Sequence, residues 1–131
     1  MIQVLPPRRP LLPILVVEDD ATTRDGVQSL LELEGFRVEV AQDGDEALRR
    51  LRQGLRPCLI LLDLAMPAMD GFEFRKEQIA DPRLSQIPTV AYSAIYDVQP
   101  ESERLYGAPF LRKPVEFDTL LLCIEAQCLK D

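Results

Sequence analysis

The chain has 131 residues, 47% hydrophobic and 28% charged, with no His, no Trp and three Cys. That length suits one compact domain with a real core, and the composition is that of an ordinary globular protein rather than a disordered one. A formal net charge of −7 argues against a nucleic-acid-binding or anionic-membrane surface, because either needs basic patches to displace counterions.

The lack of histidine removes Ser-His-Asp and Cys-His catalysis, His-ligated metals and any phosphohistidine of the chain's own. Cys58, Cys123 and Cys128 are too few and too irregularly spaced for a disulfide framework or a zinc site. An odd cysteine count without an apolar signal-type segment at the N-terminus points to a reducing, cytoplasmic setting. No stretch approaches the 18 or so apolar residues that a membrane span needs.

Residues 1–13 stand apart as a proline-rich arm, with Pro6, Pro7, Pro10 and Pro13 beside Arg8 and Arg9. Proline fixes φ and removes a donor, so an extended segment is expected there. From Ile14 to the end, short apolar runs alternate with longer amphipathic stretches. Ile14–Val17 is a buried strand stopped by Glu18-Asp19-Asp20. A helix from about Ala21 to Glu34 carries Val27, Leu30 and Leu31 at helical spacing and ends at Gly35. Arg37–Ala41 alternates around Val38 and Val40 as a second strand.

Asp43 and Glu46 form a capping box at the head of the second helix, which buries Ala47, Leu48 and Leu51 and stops at Gly54. Leu59–Leu62 is the most apolar strand and therefore central, and Asp63 ends it. A loop with Pro67 and Gly71 leads to a helix over about Phe72–Ala80, then to a strand over Thr89–Tyr92. Only a short helix fits between Pro100 and Gly107. Pro109–Arg112 is an edge strand, and a last helix over about Glu116–Leu129 sets Phe117, Leu120, Leu121, Ile124 and Cys128 on one face.

Five strands alternating with five helices imply an α/β fold, a parallel sheet covered on both faces and joined by right-handed crossovers. In such sheets the ligand site lies at the carboxyl ends of the strands. Glu18, Asp19 and Asp20 follow the first strand, Asp63 the third, Ser93 the fourth and Lys113 the fifth. Carboxylates crowded in one crevice repel and raise each other's pKa. A divalent cation removes that cost, and an all-oxygen donor set selects Mg²⁺. Lys113 supplies a mobile charge for a phosphoryl oxygen, and Ser93 a small hydroxyl donor. These parts suit phosphoryl transfer to Asp63, an ionised carboxylate that needs no general base.

Four segments carry a resemblance: Ile14 to Asp20, Asp63 to Gly71, Tyr92-Ser93-Ala94, and Phe110 to Pro114. In this order and at these separations they resemble the receiver domain of two-component response regulators, the CheY-like family, over residues 14 to about 129. The resemblance implies a flavodoxin-like doubly wound sheet of order 2-1-3-4-5, with residues 14–131 as the receiver domain. It implies Asp63 as phosphoacceptor, Asp19 as direct Mg²⁺ ligand and Glu18 as the acid that holds the metal through water. The Ala65 backbone carbonyl completes the metal set, Ser93 is the switch hydroxyl, Lys113 binds phosphate, and Phe110 takes the place of the switch aromatic. The segment between Ser93 and Lys113 is one or two residues shorter than the family's usual length and is interrupted by proline.

On this reading the domain takes a phosphoryl group from a phosphohistidine on a sensor histidine kinase or a histidine phosphotransfer protein. It then switches contacts with a downstream protein target, as a stand-alone regulator or part of a larger one, and is not a turnover enzyme on an external substrate. The alternative is a degenerate receiver that binds protein without phosphorylation. A haloacid-dehalogenase-type hydrolase would need a second Asp two residues after the nucleophile, where Ala65 stands.

Overall fold

A computed structural model of the chain describes residues 12–66, 69–94 and 102–128. Within them, β1 (Ile14–Val17), β2 (Val38–Ala41), β3 (Leu59–Asp63), β4 (Thr89–Ser93) and β5 (Phe110–Arg112) form one parallel sheet of order β2-β1-β3-β4-β5. The helices are α1 (Ala21–Leu33), α2 (Gly44–Arg52), α3 (Gly71–Ala80) and α4 (Phe117–Cys128), with a 3₁₀ turn over Glu103–Leu105. The expected strand order and fold are thus observed. Most of the predicted arm lies outside the described residues, as do Pro67 and the stretch holding Pro100.

Alternation along the strands divides the core into two layers. Leu15, Val17, Ile60, Leu62 and Ala91 face α2, α3 and the 3₁₀ turn, packing with Leu48, Leu51, Phe74 and Leu105. Ile14, Val16, Leu59, Leu61 and Val90 face α1 and α4, packing with Leu31, Leu120 and Ile124. Burial on both faces is why β1, β3 and β4 read as continuous apolar runs.

The helix starts are set locally. Asp20, Asp43 and Asp70 each cap a helix by accepting from the backbone N–H three residues on, at 2.9, 2.8 and 2.9 Å. Glu46 reaches back as the capping box requires, but it takes the N–H of Gln42 at 3.1 Å rather than that of the cap residue itself.

Two expectations need correction. Instead of a fifth α-helix before β5, the described residues contain only the three-residue 3₁₀ turn. Its end is fixed by Tyr106 and Gly107, both at positive φ (52° and 81°). Buried Arg75 of α3 also binds the carbonyls at the end of this turn. That side chain donates to Leu105 O at 2.8 Å and Tyr106 O at 3.0 Å, and its remaining nitrogen donates to Gln78 Oε1 at 2.8 Å.

The second correction concerns cysteine. Cys58 and Cys128 are joined in a disulfide, with Cα atoms 5.3 Å apart and a sequence separation of 70. Leu120, Ile124 and Cys128 follow at four-residue intervals on the packed face of α4. This face brings the helix's last turn over the start of β3, a meeting that no local spacing reveals. Cys123 is free and partly buried.

Candidate functional site

Glu18, Asp63, Ser93 and Lys113 all lie at the carboxyl end of the sheet, where the site was expected. Glu18 directly follows β1; Asp63 and Ser93 are the last residues of β3 and β4; Lys113 directly follows β5. Carboxylate oxygens of Glu18, Asp19 and Asp63 lie within 4.8 Å of one another. Glu18 is fully buried, Asp63 is 2% exposed and Asp19 is open to solvent. Arg24 of α1 holds the acidic loop by donating to the carbonyls of Glu18 at 3.0 Å and Asp19 at 3.5 Å. Asp20 serves as the cap of α1.

Lys113 spans the two buried acids, with Nζ 3.1 Å from Glu18 Oε1 and 3.7 Å from Asp63 Oδ2. Asp63 Oδ1 accepts the Ala65 N–H at 3.1 Å. Ser93 is fully buried, and its carbonyl accepts the Lys113 N–H at 2.8 Å, tying the lysine's backbone to β4. The Lys113–Pro114 bond that follows is cis. Phe110 pairs with Ala91, and Arg112 with Ser93. Alternation therefore puts Phe110 two positions from Ser93 on one face, and the Phe110 ring packs, partly buried, against the α2/α3 layer.

Burial and the neighbouring Glu18 push the Asp63 carboxyl up to about 7, against the pull of the Ala65 N–H and Lys113. Burial raises Glu18 too, but its hydrogen bond with Asp63 and the Lys113 ammonium outweigh it and hold Glu18 below the ordinary carboxylate range. Two buried acids thus compete for one proton, a conflict that a bound dication would resolve by taking the proton's place. With the exposed Asp19 beside them, the donor set is all oxygen and fits Mg²⁺.

One site residue escapes the sequence reading. Tyr92, which enters there as a strand residue and as part of the Tyr92-Ser93-Ala94 segment but with no role of its own, donates its O–H to Glu18 Oε1 at 3.0 Å. The Lys113 ammonium stands 4.6 Å from its ring centre. Burial and the facing carboxylates push the phenol up, so it stays protonated and remains a donor. The available signal was a tyrosine at the carboxyl end of an apolar strand, since a buried phenol needs a polar partner. Tyr92 and Lys113 also line an apolar cleft of about 510 Å³ with Val27, Leu61, Val115 and Leu120.

Comparison with known proteins agrees with this geometry. The family described as response regulator receiver domain matches residues 14–125. PilH of Pseudomonas aeruginosa is 30% identical over 118 residues, covering 86% of this chain and 94% of that protein. The transcriptional regulatory protein ZraR of Klebsiella oxytoca is 36% identical over 112 residues, 85% of this chain but 25% of ZraR. The chain thus spans nearly all of some relatives and a quarter of others. Among solved structures, chemotaxis protein CheY4 of Vibrio cholerae superposes with a TM-score of 0.78 at 30% identity, covering 90% of this chain and 99% of that one. A family match across most of the length, on a sheet of the same strand order, places the chain among the response regulator receiver domains of two-component signalling.

Proposed function

We propose that residues 14–131 act as a phosphorylation switch with Asp63 as phosphoacceptor, and that residues 1–13 are an arm outside the domain. The supporting observation is the buried Glu18–Asp63 pair bridged by Lys113 at 3.1 and 3.7 Å. One Asp63 oxygen attacks the phosphorus of a phosphohistidine on a kinase or phosphotransfer protein. The N–P bond breaks, its electrons stay on the imidazole, and an acyl phosphate forms. Glu18, Asp19, Asp63 and the Ala65 carbonyl are the residues that would hold Mg²⁺, which when bound offsets the negative charge of acids and phosphoryl oxygens.

The acyl phosphate adds about 1.5–2 negative charges, by analogy with other phosphorylated side chains. Lys113 and the Ser93 hydroxyl turn toward those oxygens. The Phe110 ring, on the same sheet face as Ser93, then moves into the space the hydroxyl leaves. The outcome is a shift between two packings that a downstream protein reads, and hydrolysis resets it.

The test is Mg²⁺-dependent labelling by a small phosphodonor, with Asp63→Asn as control. Labelling is expected in the parent and not in the variant. Label that persists in the variant moves the acceptor elsewhere. No label in the parent, together with no beryllofluoride binding, favours a phosphorylation-independent binding module.

A further inference from the structure

We propose that Tyr92 is a positioning residue, whose hydroxyl stays on Glu18 as the standing donor and so lets Lys113 exchange that carboxylate for a phosphoryl oxygen on Asp63. The inference rests on the phosphoacceptor reading and adds a residue to it. Glu18 Oε1 accepts two donors, the Tyr92 hydroxyl at 3.0 Å and Lys113 Nζ at 3.1 Å, while Oε2 has a longer contact with the Asp20 N–H at 3.4 Å; the proton shared with Asp63 is lost once that carboxyl carries a phosphoryl group. Glu18 is fully buried, so an oxygen stripped of its donors meets no water in compensation.

The two donors differ in freedom. Tyr92 lies on β4, directly paired with Asp63 of β3, and its ring is packed in the α1/α4 layer. It cannot follow a ligand. Lys113 is 28% exposed in its side chain, sits just beyond β5, and has a flexible stem whose ammonium lies against the Tyr92 ring. When a phosphoryl group arrives, the lysine has a better partner and the phenol keeps Glu18 satisfied. Without the hydroxyl, the lysine would have to abandon a buried carboxylate to reach the phosphoryl group.

Beryllofluoride, bound to Asp63 in place of a phosphoryl group, provides the test. Affinity is measured by calorimetry at saturating Mg²⁺ for the parent, Tyr92→Phe, Lys113→Ala and the double variant. Phenylalanine keeps the ring and removes only the donor. Tyr92→Phe is expected to weaken beryllofluoride about tenfold, at the low end of losing a hydrogen bond to a charged group. In the Lys113→Ala background the same change is expected to cost less than about twofold, because no lysine remains to be released.

Affinity for Mg²⁺ alone is expected to move by less than about threefold, since Lys113 then still serves Glu18. Equal beryllofluoride affinity in parent and Tyr92→Phe overturns the inference while leaving the phosphoacceptor reading intact. So does a tenfold loss that persists without the lysine, or one already present with Mg²⁺ alone. A parent protein that takes up no beryllofluoride overturns both.

Discussion

Replacing Asp63 with Asn should make the metal-free protein more stable while abolishing its labelling. Asp63 is 2% exposed, and its carboxyl is raised from 3.8 to about 7, chiefly by burial and then by Glu18. Between those two values the folded chain binds more protons than the unfolded one, so stability falls as pH rises through that window. At about 1.36 kcal/mol for each tenfold change in proton affinity, the full cost above pH 7 is about 4 kcal/mol. Glu18 is held below its ordinary range by the same sharing, which returns part of that cost, so about 4 kcal/mol is an upper bound for the pair. Asparagine removes the charge and offers Glu18 an amide N–H in place of the shared proton.

Urea unfolding with a chelator present should therefore show Asp63→Asn more stable at pH 8, by up to about 4 kcal/mol, with the gap about 2–3 kcal/mol smaller at pH 5. Mg²⁺ should narrow the gap. At a hundred times its dissociation constant it stabilises the parent by about 2.7 kcal/mol, and the variant, which lacks one acid, by less. Equal stability of the two proteins at pH 8 without metal would refute the buried-acid conflict. So would a gap that widens toward low pH.

Gly71→Ala should cost about 1–3 kcal/mol in urea unfolding and slow labelling of Asp63. A Cβ there would come within 2.6 Å of the Leu64 Cα and 2.8 Å of the Asp63 carbonyl, displacing the segment that carries Asp63. Reducing Cys58–Cys128 should lower stability by up to about 4 kcal/mol, the loop-entropy limit for a bridge closing some 70 residues. Unfolding with and without a dithiol, with Cys128→Ser as control, measures the loss. Arg75→Leu should destabilise by about 2–3 kcal/mol, because it removes three charge-assisted hydrogen bonds of a buried side chain, to the Leu105 and Tyr106 carbonyls and to Gln78. Hydrogen exchange should show that loss first around Glu103–Leu105.

The strands and α-helices were legible in the residues because each is a local signal. Continuous apolar runs mark strands buried on both faces, and Asp43, Gly35 and Gly54 punctuate helices where the backbone needs a cap or a positive φ. The acids, Ser93 and Lys113 were legible for a related reason, since a parallel sheet carries every strand's carboxyl end to one edge. The 3₁₀ turn before β5 was not. Its last carbonyls are held by Arg75, a residue of α3 that lies 30 positions from Leu105 in sequence.

What the sequence by itself determined is the order of elements and the chemistry gathered at the edge of the sheet, because periodicity and strand direction are properties of short segments. Tertiary structure alone decided that Tyr92 hydrogen-bonds Glu18 across 74 positions and that Cys128 reaches Cys58 across 70. It also decided that Lys113 serves two acids at once. Such pairings depend on which side chains long-range packing brings face to face, and burial then fixes how strongly they act by excluding the water that would weaken them.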